Sequence, residues 1–209
     1  MRDFAKGAAK FLGVVAVILL VAGLILYFFF VRVVTVGHNA MALTVMLGDQ
    51  VLVWRTQSFE LGDMVLCPHP SEAGRYVLGR IVGRAGDVVT MERGNLLING
   101  QTPDTDLHPA IRWTDLETNR QRSMIWGIED ILDHEHFFFR EDRRRPPEMR
   151  PHRVRGGAYL LSDNRTYVGE DSRDFGEVSE ITCIGKVFMR LTAADSPPEI
   201  GNSMLDIIE

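Results

Sequence analysis

The stretch that decides the fold is Val34–Val53, VTVGHNAMALTVMLGDQVLV. Its β-branched start predicts a short extended run, the pair Gly48-Asp49 predicts a turn, and Gln50–Trp54 predicts a strand. The same Gly-Asp-x-Val motif recurs at Gly62 and at Gly86. In each copy the glycine supplies a positive φ, the aspartate bonds back onto the turn, and β-branched residues start a strand. The motif therefore indicates a domain of short strands.

A long apolar segment precedes this stretch. Phe11–Val31 carries no charge and is bounded by Lys10 and Arg32. As a helix it would be about 31 Å long, which matches a bilayer core and disfavours the alternative of a buried helix in a soluble protein. The bulky residues at its end do not resemble the small-x-small exit of a cleavable signal peptide. We expect a transmembrane helix over residues 11–31, with residues 1–10 in the cytoplasm because they are basic.

The composition fits one membrane segment plus one globular domain, residues 32–192, outside the cytoplasm. The chain has 209 residues, of which 45% are hydrophobic, and a net charge of −5. No overall positive field favours nucleic acid as a partner. No phosphate loop or nucleotide fingerprint is present, so we expect no cofactor and no small-molecule substrate. Lysines occur only at Lys6, Lys10 and Lys186.

Other segments support a mainly β, antiparallel domain. Further strands are predicted at 75–82, 95–99, 158–162 and 181–191, with a hairpin turn at Asn99-Gly100. Residues 101–157 are predicted to be a variable insertion, in which 114–117 and 124–131 form strands or a short helix. Its Arg-rich part, 140–155, is predicted to be a surface loop that is either solvated or in contact with anionic lipid or an acidic partner. Residues 193–209 are predicted to be a flexible tail.

Three ordered blocks resemble the bacterial type I signal peptidases, the S26 family of serine proteases. Val34–Val53 is similar to P-S-x-S-M-x-P-T-L-x-x-G-D-x-V-L-V. Tyr76–Val89, YVLGRIVGRAGDVV, is similar to Y-x-K-R-V-x-G-x-P-G-D-x-V, and Tyr159–Val178 to Y-F-x-M-G-D-N-R-x-x-S-x-D-S-R-x-x-G, with one extra residue. The resemblance implies a signal-peptidase-like antiparallel β domain with one N-terminal transmembrane helix. The matching framework and peptide-groove positions are Met41, Thr44, Arg80, Asp163, Asn164, Arg165, Asp171, Ser172 and Arg173.

The catalytic positions of that family are not kept. The resemblance implies a serine nucleophile and a lysine base where this chain has Ala40 and Gly79. The former oxyanion donor falls on His38, and the serine that orients the lysine falls at 168–169. Without a hydroxyl or an amine at the dyad positions, catalysis by the family mechanism is excluded, and we assign no catalytic residue. Two substitutes are considered: Thr44 as nucleophile, and His38 with a carboxylate as base.

The framework residues are interpreted as structural. The family's counterparts of Arg80 with Asp163, and of Asp171 with Arg173, form ion pairs that brace strands. Keeping both signs of a buried pair matters, because one partner left alone costs several kcal/mol.

Two other groups of residues have the composition of possible metal sites. His134 and His136 have the H-x-H spacing of metal ligands, but a partly buried strand after a polar turn is favoured, so no metal is expected. Cys67 with His69 offers too few ligands for a metal. Cys67 and Cys183 either pair outside the cytoplasm or stay buried as thiols, and the sequence leaves this open.

The leading hypothesis is a catalytically inactive, single-pass protein of the bacterial inner membrane with a periplasmic domain. It would bind a peptide or another membrane or exported protein, as an assembly factor or subunit of a membrane complex. The alternative is a divergent active signal peptidase with a non-standard nucleophile. A third hypothesis is a structural subunit whose groove is filled by bulky side chains such as those of His38 and Leu43.

Overall fold

The computed structural model describes residues 2–115, 117–142, 145–192 and 205–208. Helix α1 spans Arg2–Phe30, and helix α2 spans Ser172–Phe175. A 3-10 helix covers Glu180–Thr182. The strands in chain order are β1 Val31–Thr35, β2 Gln50–Trp54, β3 Met64–Pro68, β4 Tyr76–Arg84, β5 Val88–Glu92, β6 Asn95–Ile98, β7 Asp104–Asp115, β8 Arg120–Asp130, β9 Glu135–Glu141, β10 Met149–Arg153, β11 Ala158–Leu161, β12 Gly185–Arg190 and β13 Asp206–Ile207.

Helix α1 leads into β1 without a loop. Its segment Lys10–Phe30 is long and apolar enough to cross a membrane, and the rest of the chain does not bury it. The predicted span therefore lies in α1, except that Val31 belongs to β1. The junction is held from the side, because Arg55 N donates to Phe30 O (2.8 Å) and the Phe30 ring stacks on Trp54 at 5.7 Å. This arrangement fits a membrane-anchored protein.

The strands form three antiparallel sheets, which confirms the mainly β prediction. The main sheet has the order β1-β2-β12-β3-β4-β11, and β13 adds to β12. Strands β10, β5 and β6 form a second sheet, and β7, β8 and β9 form a third. The third sheet contains the long hairpin β7–β8, which replaces the short elements predicted at 114–117 and 124–131.

The three Gly-Asp turns share one geometry. Gly48, Gly62 and Gly86 have φ of 91°, 96° and 104°. In each turn the aspartate side chain accepts the backbone N–H of the residue three positions earlier, at 2.9, 2.9 and 2.8 Å for Asp49, Asp63 and Asp87. The motif therefore builds the strand connections as the sequence predicts.

Buried side chains connect the sheets around the loop between β1 and β2. Met41 and Val45 belong to the core of the main sheet. Leu43 and Met46 pack instead against Trp113, Met124 and Phe139 of the third sheet. This loop, residues 36–49, is called the site loop below. Its hydrophobic side chains point into two cores, so its position is tied to both sheets.

Three expectations need correction or completion. Cys67 and Cys183 form a disulfide, so the pairing alternative holds. The predicted loop at 140–155 begins in β9 and includes β10, while residues 143–144 lie outside the described residues. Of the tail predicted to be flexible, residues 193–204 also lie outside them, but Asp206–Ile207 forms β13. That part of the tail is ordered because its backbone pairs with a strand of the main sheet.

Candidate functional site

The site loop is closed by its own backbone and by one asparagine. Val36 N donates to Asp49 O (2.8 Å), and Gly48 N donates to Val36 O (2.9 Å). The Asn39 amide accepts from Leu47 N (3.0 Å) and donates to Asp115 Oδ1 of β7 (2.8 Å). The loop is therefore fixed at both ends and pinned to the third sheet.

Ala40, at the former nucleophile position, is fully buried. Its carbonyl accepts from Asn164 N (2.9 Å), and its N–H donates to His38 Nδ1 (3.3 Å). Asn164 Nδ2 also donates to Asn39 O (3.3 Å). The third sequence block therefore lies directly on the first, and the side chain at the former nucleophile position is a methyl group.

Gly79, at the former base position, lies in β4 against Leu160 of β11. A Cβ atom built on Gly79 would lie 2.9 Å from Leu160 Cβ. Real Cβ atoms essentially never come this close, so any side chain here requires the two strands to move apart. The position lacks an amine, and Leu160 crowds even the first carbon of a side chain there.

A buried charged cluster underlies the site loop. The Arg80 guanidinium donates two hydrogen bonds of 3.1 Å to the Asp163 carboxylate, and both side chains are buried. Thr44 Oγ1 donates to Asp163 Oδ2 (2.6 Å). Behind them, Arg165 contacts Glu129, and His136 Nε2 lies 3.4 Å from Glu129 Oε2.

The charges in this cluster compensate one another. Burial by itself would raise the pKa of the Asp163 carboxyl, but Arg80 and His136 hold it below its ordinary value. Burial likewise opposes ionisation of Glu129, yet Arg165 and His136 keep its pKa low. Burial lowers the pKa of His136, with Arg80 contributing to the same shift. These carboxylates and guanidinium groups therefore compensate one another's charge inside the fold.

The outer edge of β11 is covered by the residues that follow it. Asp171 caps α2 and accepts Ser162 N (3.0 Å), while Ser172 Oγ accepts Leu160 N (2.8 Å). Asp171 is also gripped by Arg173, whose Nη2 lies 2.7 Å from Asp171 Oδ2. These side chains take the places that a paired strand would take, so this edge is closed to an added peptide.

Side chains that the sequence pattern does not single out form a rim over the site loop, defined here as Arg75, Glu117, Tyr167 and Glu170. Glu170 contacts Arg75, and its Oε2 lies 3.3 Å from His38 Nε2. Burial lowers the pKa of His38. Tyr167 faces the His38 ring at 5.9 Å and donates its hydroxyl to Glu117 (2.7 Å). Burial and that carboxylate raise the pKa of Tyr167.

A cavity of about 260 Å³ lies beside this rim. Its aromatic and apolar wall includes Trp113, Met124 and Val168, and its polar wall includes Asp115 and Arg122. In the sequence, only the one extra residue between Arg165 and Asp171 of the third block pointed to the rim, because Glu170 lies in that stretch. Glu117 carried no signal, since the hairpin that positions it was not predicted as such.

The two histidines weighed as metal ligands face different carboxylates. His134 lies 3.9 Å from Glu60 and 4.0 Å from Asp63, whereas His136 lies against Glu129. Within the described ranges, no group of three or more histidine, cysteine or acidic side chains could hold a metal ion. Lys186 contacts Asp63 on the main sheet.

Comparison with known proteins agrees with the three blocks. The family model described as signal peptidase, peptidase S26, matches residues 8–192. The chain is similar to "Signal peptidase IB" of Staphylococcus aureus strains Mu50 (ATCC 700699) and N315. In both cases the identity is 29% over 169 residues, which is 78% of this chain and 78% of the relative.

Proposed function

Because the chain belongs to the peptidase S26 family of signal peptidases, we propose that it is a catalytically inactive, membrane-anchored relative that acts by binding protein or peptide. It keeps the scaffold that holds an extended chain and lacks the groups that would cleave it. The observation that carries this proposal is the pair of lost positions. Ala40 offers no nucleophilic atom, and the space beside Gly79 is filled by Leu160.

Substitutes for the dyad are poorly placed. Thr44 donates its hydroxyl proton to the buried Asp163 and has a framework role. His38 and Glu170 are arranged like a base and its orienting carboxylate, but among the described residues no hydroxyl donates to His38. Ser162 Oγ is buried and has no hydrogen-bond partner within the described chain. Because Ser162 is buried away from any substrate, we do not propose it as a nucleophile, but its substitution serves as a test.

The sheet retains an edge that fits a bound strand. β1 ends the order of the main sheet, pairs with β2, and leads directly into the site loop. Thr35 and Val33 are exposed on this edge. Binding by strand addition uses such an edge for main-chain hydrogen bonds and neighbouring pockets for side chains. The cavity beside the rim would be one such pocket.

The proposed partner is another membrane or exported protein, and the proposed location is the bacterial inner membrane. Arg2, Lys6 and Lys10, which precede the apolar segment within α1, favour a cytoplasmic N-terminus. The Cys67–Cys183 disulfide supports an oxidising compartment such as the periplasm for the β domain.

Catalysis is tested with the purified full-length chain in detergent and a standard exported precursor carrying a small-x-small cleavage motif. We expect no cleavage by the wild type, with an active signal peptidase as the positive control. Cleavage that disappears in Ser162→Ala or Thr44→Val would refute the proposal and support the divergent enzyme.

Binding is tested by photocrosslinking in membranes. A photoreactive residue at Thr35 on the β1 edge is expected to capture a protein, whereas the same residue at Asn95, which is exposed on the second sheet, is expected not to. Equal capture at both positions, or none at Thr35, would contradict binding along β1. Stable co-purification without crosslinks at Thr35 would favour a structural subunit.

A further inference from the structure

Strand β13 pairs with the part of β12 that β3 does not reach. The first half of β12 pairs with β3 through Gly185 and Lys186. Farther along, Met189 and Arg190 pair with Ile207 and Asp206 instead. The segment 205–208 thus lies in a groove whose floor is the second half of β12.

One side chain anchors this segment in the core. Ile208 is buried within the same core cluster as Met41 of the site loop, and its N–H donates to Phe188 O (3.0 Å). The adjacent Ile207 is 68% exposed. The groove therefore distinguishes two neighbouring isoleucines by position, as a side-chain pocket does.

A buried arginine recognises the charge of the segment. Arg190 is 1% exposed, and its Nη2 donates to Asp206 Oδ2 (3.1 Å). Its Nη1 donates to Thr44 O (2.9 Å), while Thr44 Oγ1 donates to Asp163. The carboxylate of the segment is thereby connected through Arg190 to the site loop and to the buried charged cluster.

Space remains next to the segment. A cavity of about 200 Å³ is bounded by Asp206, Ile207 and Ile208 on one side and by Thr44, His136 and Phe137 on the other. Among the residues that the structure describes, one short backbone pairing, one ion pair and one buried side chain hold the segment. Peripheral segments with so few contacts open locally without global unfolding.

We propose that this groove is a peptide-acceptor site, distinct from the cleft at Ala40, which residues 205–208 occupy reversibly. Its ligand is an extended segment with a carboxylate two residues before a buried aliphatic side chain, the pattern Asp-x-Ile. The carboxylate is recognised by Arg190, and the aliphatic side chain fills the pocket beside Met41. The proposal does not depend on whether the protein cleaves peptides.

The first test uses hydrogen exchange of the full-length chain in detergent. The amides of 206–208 are expected to exchange more slowly than those of a free peptide of residues 203–209. Ile208→Asp is expected to release the segment and abolish this protection. Ile207→Asp, its matched control, is expected to retain it. Exchange as fast as in the free peptide for the wild type, or equal release by both substitutions, would overturn the proposal.

The second test adds a fluorescent peptide of residues 203–209 in trans. The peptide is expected to bind the Ile208→Asp protein at least tenfold more tightly than the wild type, whose groove is occupied. The same peptide carrying Ile208→Asp is expected not to bind. A folded Ile208→Asp protein that does not bind the wild-type peptide would overturn the proposal. Failure of that protein to fold would also overturn it, because the segment would then be an integral strand.

Discussion

Gly79→Ala tests whether the former base position can accept any side chain. The added Cβ would lie 2.9 Å from Leu160 Cβ, so β4 and β11 must separate by about 0.5 Å to reach ordinary contact at 3.4 Å. Overpacking of this kind in a buried strand pair costs about 1–3 kcal/mol. For a chain of this size, that corresponds to a fall in melting temperature of about 2–12 °C. A lysine shares the same Cβ, so its cost begins at that value.

Thermal unfolding of the full-length protein in detergent, followed by tryptophan fluorescence, measures this cost. Gly156→Ala is the control, because a Cβ there meets nothing within 4 Å and the backbone is not left-handed. Gly156→Ala is expected to leave the free energy of unfolding unchanged or to raise it by up to about 1 kcal/mol, because alanine restricts the unfolded chain. If Gly79→Ala melts at the same temperature as Gly156→Ala, the position has room for a side chain. The conclusion that Leu160 excludes a lysine would then be wrong.

Three further predictions concern the scaffold. Asp163→Ala removes the carboxylate that faces buried Arg80, and is expected to lower the free energy of unfolding by about 3–5 kcal/mol in guanidinium titrations. The exposed control Asp106→Ala should change it by less than about 0.5 kcal/mol. Replacing both Cys67 and Cys183 with alanine should cost about 4–5 kcal/mol, because the disulfide spans 116 residues; maleimide labelling of the unreduced wild type would contradict the pairing. Burial lowers the pKa of His136, so below about pH 6.5 the unfolded state binds a proton that the folded state does not. The free energy of unfolding therefore decreases as the pH falls. The melting temperature should therefore drop between pH 7 and 5, and drop less in His136→Gln; equal slopes would exclude His136 as the cause.

Local chemistry made much of the fold predictable. The Gly-Asp turns need only a glycine with positive φ and an aspartate within reach of the preceding backbone, so the sequence alone specifies them. The span of α1 follows from length and hydrophobicity, and the charge-paired framework follows from the resemblance. Arg80 and Asp163 meet in the structure as that resemblance implies.

Features that depend on packing between distant segments were not predictable. Leu160 crowds Gly79 because β11 pairs with β4. The sequence of neither strand shows how closely the two strands approach each other. The β7–β8 hairpin is stabilised by cross-strand pairing rather than by a strong local pattern. The sequence predicts a flexible tail around β13 because Pro197-Pro198 precede it, and a strand of two residues has no periodicity that would reveal its pairing with β12.

The direct passage from α1 into β1 sets the reach of the protein. The hydrogen bond from Arg55 N to Phe30 O and the stacking of Trp54 on Phe30 join the end of the apolar segment directly to the sheet. β1 rises about 17 Å over its five residues, and the site loop begins just beyond it. The site loop therefore begins no more than about 20 Å from the end of α1. For the proposed binding role, we therefore expect the site loop to meet those parts of a partner that emerge close to the bilayer.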